Sequence, residues 1–206
     1  MAEPLQVQFA PLSQTPSGTL ILLAGEELAL GGSARAINER SKGALLRAAA
    51  AAGFTGKAKT VIELLAPAGI DSQRVLLVGA GRPGKELDRL LLGGYAFAQG
   101  NARKGETATL ICDPADAGEA GVADFAADLA LGGLLRSYAF KKYLTRGKQE
   151  EAGEADGGSD GLSKLVILCD RSEAASKAFA SRKALADGVF LARDLVNEPA
   201  NRLGPL

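Results

Sequence analysis

The chain has 206 residues, 47% of them hydrophobic, with 24 Lys+Arg against 24 Asp+Glu and no His. Balanced charge supplies no long-range field to gather nucleic acid or an anionic membrane, and the lack of His excludes Ser/His/Asp and Cys/His triads and His-based zinc sites. No apolar run reaches the roughly 20 residues of a membrane span, and the start Met1-Ala2-Glu3-Pro4 lacks the regions of a signal peptide, so a cytoplasmic protein is expected.

Short β-rich runs alternate with Ala/Leu-rich stretches of helical length, the pattern of an α/β domain. In chain order, Leu5 to Phe9 and Thr19 to Leu23 are predicted strands. One helix is predicted over Ala34 to Ala52, with Ser33 as its N-cap and Gly53 just past its end. Strands Lys59 to Leu65 and Arg74 to Val78 follow, then a helix from Lys85 to Ala102 that stops before Gly105, and a strand from Thr107 to Cys112.

The next helix is predicted over Val122 to Leu144, with Val122, Phe125, Leu129 and the Gly132-Gly133 pair on one face. Adjacent glycines inside a helix cost about 1 kcal/mol each in propensity, so close packing against another backbone, or a break, is predicted there. Residues 147–161 are acidic and glycine-rich and read as a surface loop. A strand over Lys164 to Cys169 precedes a final helix over Ser172 to Asn197, which ends where Pro199 forbids continuation. That helix is longer than one small domain needs and suits a bridge to a second domain. Cys112 and Cys169 each end an apolar run and precede an Asp, which suits buried thiols better than a disulfide framework.

Gly79-Ala80-Gly81-Arg82-Pro83-Gly84 follows a strand and precedes a helix, matching the Gly-x-Gly-x-x-Gly dinucleotide fingerprint. Gly79, Gly81 and Gly84 are therefore candidate phosphate contacts. Against this, the fingerprint wants an acidic residue about 20 positions on; the candidate, Asp113, lies further along, and Pro83 removes an N–H from the loop. Two readings stand: a sharp turn that needs glycine for its backbone, or a nucleotide or ADP-ribose binding module. A third partner, DNA, would need clustered cations; the nearest run, Arg136, Lys141, Lys142, Arg146 and Lys148, reads as a solvated helix face.

The chain closes on Leu195-Val196-Asn197-Glu198-Pro199-Ala200-Asn201-Arg202-Leu203-Gly204-Pro205. Asn197 and Asn201 can satisfy backbone groups at a helix terminus, and Pro199 keeps Glu198 out of the helical region. This stretch resembles the inter-domain junction of the leucyl (cytosol) aminopeptidase family, a helix ending in Leu-Val-Asn-x-Pro-Ala-Asn that runs to x-Leu-x-Pro. The junction residues so assigned are Asn197, Glu198, Pro199, Ala200, Asn201 and Pro205. Arg74 to Gly79 followed by Gly81, and Gly132-Gly133-Leu134-Leu135-Arg136-Ser137-Tyr138-Ala139-Phe140-Lys141-Lys142-Tyr143-Leu144-Thr145, are similar to segments of the family's amino-terminal domain. Gly204 departs from it, where many relatives carry Thr or another side chain.

The resemblance implies a macro-domain-like mixed sheet flanked by helices over residues 1–171, with 172–206 as linker helix and junction. It implies a two-metal aminopeptidase using manganese, zinc or magnesium on peptide substrates, assembled as a homo-hexamer of two trimers. The metal ligands and the assisting Lys and Arg of the family belong to the carboxyl-terminal catalytic domain, so no residue here receives a catalytic or metal role. The chain is expected to stop at a domain boundary and to be inactive alone. Some bacterial relatives bind DNA through this region; the charge balance argues against it here.

Overall fold

Valine, isoleucine and leucine fill the runs Thr19–Gly25, Arg74–Gly81, Thr107–Ile111 and Lys164–Leu168 with little alternation, the pattern of strands covered on both faces, whereas Gln6–Ala10 alternates polar and apolar residues. A computed structural model describes residues 5–82, 84–101, 107–114, 119–140, 142–143 and 162–199. Among these, the strands are β1 (Gln6–Ala10), β2 (Thr19–Gly25), β3 (Val61–Leu65), β4 (Arg74–Gly81), β5 (Thr107–Ile111) and β6 (Lys164–Leu168). The helices are α1 (Gly32–Arg40), α2 (Ala44–Ala51), α3 (Glu86–Gly100), α4 (Glu119–Arg136) and α5 (Ser172–Asn197).

The strands form one mixed sheet in the order β1-β6-β5-β2-β4-β3. Every neighbouring pair is parallel except β3 with β4. Side chains alternate between two cores. Ile21, Leu76, Leu110 and Ile167 join Phe97, Phe125, Leu129 and Phe179 of α3, α4 and α5 on one face. Leu20, Leu22, Leu77 and Val166 join Ala34, Ile37, Leu45 and Ala49 of α1 and α2 on the other. The predicted α/β class and all six strands hold, with ends displaced by a few residues at most.

Two predicted helices need correction. The single helix over Ala34 to Ala52 is two, because Lys42 and Gly43 take left-handed backbone (φ 53 and 79). Gly43 N–H donates to Asn38 O (2.7 Å), and Asn38 Oδ1 accepts from Leu46 N–H (3.2 Å), so one side chain closes the first helix onto the second. The corner lets both short helices lie on the sheet. The N-cap is Gly31, not Ser33. The helix predicted to run to Leu144 stops at Arg136; Ser137 turns the end, its hydroxyl donating to Leu134 O (2.7 Å).

The Gly132-Gly133 pair does not break α4. An added Cβ at Gly132 would stand 1.9 Å from Leu90 O and 2.8 Å from Gly94 N, so α3 and α4 touch backbone to backbone. The acidic run 147–161 and the end of the predicted α3 at Ala102 lie outside the described residues.

Candidate functional site

The glycine turn sits at the carboxyl end of β4, where parallel strands of α/β proteins place their ligands. Its amides are engaged within the fold. Gly79 N–H donates to Thr60 O (2.8 Å) and Gly81 N–H to Gly56 O (2.9 Å). A Cβ on Gly79 would lie 2.0 Å from Lys57 O, and Gly81 has φ +61 with Ala58 against it. The loop leading into β3 thus lies on the first two glycines. Gly84 N–H bonds to Arg82 O (2.8 Å). The amino end of α3 is acidic, with Glu86 and Asp88 in its first turn and Lys85 N–H donating to Asp88 Oδ2 (3.2 Å). Asp113 is taken up elsewhere: its Oδ2 accepts from Ser33 N–H (2.5 Å) at the start of α1.

Beside this turn opens a cavity of about 610 Å³, whose walls include Leu23, Glu26, Glu27, Arg82, Arg89 and Phe125. Sequence reasoning missed Glu26, Glu27 and Arg89. The pair of acidic residues directly after a strand was the available signal for the first two.

The second arrangement gathers the family-like segments. Tyr138, just past α4, stacks under Arg193 of α5, with the guanidinium carbon 3.9 Å from the ring centre. Its hydroxyl donates to Asp194 Oδ1 (2.6 Å) and accepts from Asn197 Nδ2 (3.5 Å), while its ring lies 5.3 Å from that of Phe190. Asn197 Nδ2 also donates to Arg193 O (2.8 Å), satisfying a carbonyl in the last turn as expected. Glu198 leaves the helix with extended backbone (φ −71, ψ 137), and its carboxylate takes both Lys142 Nζ and the Tyr143 hydroxyl. Tyr138 has its pKa raised, first by burial and then by the Asp194 carboxylate. Pro199 is described; Ala200, Asn201, Pro205 and the basic residues Lys141, Arg146 and Lys148 lie outside the described residues.

A third network joins three helices. Asp128 of α4, fully buried, accepts from Arg89 Nε of α3 (2.6 Å) and Arg182 Nε of α5 (2.7 Å), and Arg182 Nη2 also reaches Asp124 (3.0 Å). Burial pushes the Arg182 pKa down, but Asp128 and Asp124 more than reverse this. An Asp inside the apolar run Ala126-Ala127-Asp128-Leu129 was a readable signal for a paired buried charge. Among the described residues no three His, Cys, Asp or Glu side chains gather to hold a metal ion. The two carboxylates just named are already matched by guanidinium groups, so these residues do not fit a divalent cation. No described helix is long and apolar enough to cross a membrane.

Residues 21–147 match the family described as "Cytosol aminopeptidase family, N-terminal domain". Among relatives, a probable cytosol aminopeptidase of Bradyrhizobium sp. is 40% identical over all of this chain and 40% of its own length. One from Chelativorans sp. is 41% identical with the same coverage. Among solved structures, a mutant tomato leucine aminopeptidase superposes with a TM-score of 0.74 at 21% identity, covering 98% of this chain and 40% of its own. A bottromycin maturation enzyme in complex with Mn gives 0.58 at 24% identity, covering 92% of this chain and 33% of its own. The chain spans about 40% of the length of the curated relatives it matches. With the family match over residues 21–147 and relatives about 40% identical over the whole chain in agreement, the chain belongs to the cytosol aminopeptidase family as its amino-terminal domain.

Proposed function

We propose that this chain is the non-catalytic, amino-terminal part of a longer leucyl-type aminopeptidase, serving assembly and the framing of an active site that the rest of the protein supplies. The observation that carries this reading is coverage: the whole chain aligns, yet it accounts for only 40% of relatives described as probable cytosol aminopeptidases. The shape of α5 supports it. Ala175, Phe179 and Ala186 anchor the helix in the core, whereas Leu191 (61% exposed), Leu195 and Val196 (86% exposed) face outward near its carboxyl end. Exposed apolar side chains clustered at a helix end are suited to covering by another domain.

In this reading residues 1–171 form the α/β unit, and 172–206 form the linker helix and the junction. Asn197, Glu198 and Pro199 set its exit direction, held by Tyr138, Lys142 and Tyr143. Two divalent ions, manganese, zinc or magnesium, would be held by the remainder of the protein, where they would activate water and polarise the peptide carbonyl. The assembled enzyme would be a cytoplasmic homo-hexamer acting on peptides, with no call for DNA. The glycine turn is assigned a structural role, because the amides of Gly79 and Gly81 serve the loop before β3.

The test is a fusion of this chain to the remaining part of the Bradyrhizobium relative. With Mn²⁺ the fusion should hydrolyse leucine p-nitroanilide, while the chain alone should not. Hydrolysis by the chain alone, or a folded but inactive fusion beside an active relative, would overturn the reading.

A further inference from the structure

The cavity at the strand ends combines features that the family assignment does not use. The residues lining it include two acidic ones, Glu26 and Glu27, on the turn after β2, and two arginines, Arg82 after β4 and Arg89 on α3. Leu23 and Phe125 give it apolar walls. At about 610 Å³ it falls within the roughly 300–1,000 Å³ of pockets that hold small ligands. Arg89 is fixed in place: Nε donates to buried Asp128 (2.6 Å), Nη1 to Gly84 O (3.3 Å), and the guanidinium lies 5.9 Å from the Phe125 ring centre.

The acidic turn is held at a conformational cost. Glu27 and Leu28 both have left-handed backbone (φ 57 and 59), which non-glycine residues adopt rarely and which concentrates at ligand sites. The register of β2 on β4 also slips there, Ala24 facing Gly79 and Gly25 facing Gly81, and such bulges re-aim side chains beside sites. Gly25 N–H closes the turn onto Ala29 O (2.8 Å). The strain and the bulge both fall at the turn whose Glu26 and Glu27 line the cavity.

We propose that this cavity binds a zwitterionic ligand with an apolar side chain, a short unblocked peptide, its ammonium on Glu26 and Glu27 and its carboxylate on Arg82 and Arg89. Opposite charges already meet there, since Arg82 Nε bonds to Glu26 Oε2 (2.7 Å), the arginine largely exposed and the glutamate partly so. A zwitterion replaces that weak surface pair with one partner for each charge. Phosphate ligands are disfavoured: Glu26 and Glu27 line the cavity, Glu86 and Asp88 occupy the first turn of α3, and the Gly79 and Gly81 amides are bonded within the fold.

Calorimetric titration of the chain tests this with Leu-Leu, its N-acetyl form, its C-terminal amide and ATP. Leu-Leu should bind, each blocked form should bind at least about tenfold more weakly, and ATP should give no heat. Glu27→Gln and Arg82→Gln, both at exposed positions and checked for folding by circular dichroism, should each weaken Leu-Leu by about tenfold. Absence of Leu-Leu binding, equal binding of the blocked peptides, affinity unchanged in both variants, or ATP bound as tightly as Leu-Leu would each overturn the proposal. The readout is binding to this chain, so it stands or falls independently of whether the longer protein cleaves peptides.

Discussion

The Tyr138 hydroxyl donates to the Asp194 carboxylate at 2.6 Å across an interval of 56 residues, while Arg193 covers the same ring. This joins the segment that leaves α4 to the last turn of α5, so two stretches that the sequence places far apart are physical partners. Tyr138→Phe keeps the ring and its contacts with Arg193 and Phe190 but removes the hydrogen bonds to Asp194 and Asn197. A net loss of about 1 kcal/mol is expected, since Asp194 is exposed and water replaces part of the bond. For a chain of this size that lowers Tm by about 2–4 °C. Thermal unfolding followed by circular dichroism checks it, and an unchanged Tm would show that the hydroxyl contributes nothing to holding the junction.

Gly132 and Gly188 make a matched pair inside helices. At Gly132 an added methyl would meet the backbone of Leu90 and Gly94, which cannot give without separating α3 from α4, whereas at Gly188 nothing lies within 4 Å. Gly132→Ala should therefore destabilise by about 2–3 kcal/mol or more through overpacking. Gly188→Ala should stabilise by about 0.5–1 kcal/mol through helix propensity. Denaturant melts of the two variants should move in opposite directions; a shift of the same sign in both would refute the helix contact.

The strands and α5 were legible because continuous apolar runs and a proline stop act locally. The α1–α2 corner was not, since it depends on Lys42 adopting left-handed backbone and on Asn38 capping the following helix, and neither is a periodic signal. The end of α4 was misjudged for a related reason: the aromatic residues Tyr138, Phe140 and Tyr143 continue an apolar pattern, yet Tyr138 serves α5. The glycine turn was visible, but whether it serves a ligand or the chain turns on which carbonyls reach Gly79 and Gly81, and these come from residues some 20 positions earlier. The opposed charges of Glu26, Glu27, Arg82 and Arg89 meet only through the sheet order.

Asp128 lies under three helices with two guanidinium groups on its carboxylate. Asp128→Asn retains the shape and removes the charge, leaving Arg89 and Arg182, each about one-fifth exposed, partly uncompensated around a fully buried side chain. Removing one member of a buried charged network costs about 3–5 kcal/mol. The chain should then unfold at clearly lower urea, with the loss only partly reduced by added salt because the Asp128 carboxylate is fully buried while its arginine partners are mostly so. An effect below 1 kcal/mol, or one that disappears in salt, would show the network to be a surface feature in energetic terms.

Cys112 and Cys169 follow the paired ends of β5 and β6, where Ile111 faces Leu168 and Cys112 N–H donates to Leu168 O (2.8 Å). Both thiols are free and fully buried. Burial pushes the Cys112 pKa well above its ordinary 9.0, with Cys169 and Asp113 adding to the shift. Burial also raises Cys169, partly offset by a backbone hydrogen bond from Arg171. The folded state thus holds these protons more tightly than the unfolded chain does. The resulting stability is fully present below the ordinary value and is lost as pH rises toward the folded one. Stability should be flat near neutral pH and fall above about pH 9, and Cys112→Val should make that fall shallower while costing less than about 1.5 kcal/mol at neutral pH. Ellman's reagent should react with neither thiol in the folded chain and with both once urea unfolds it; rapid labelling under native conditions would contradict the buried placement.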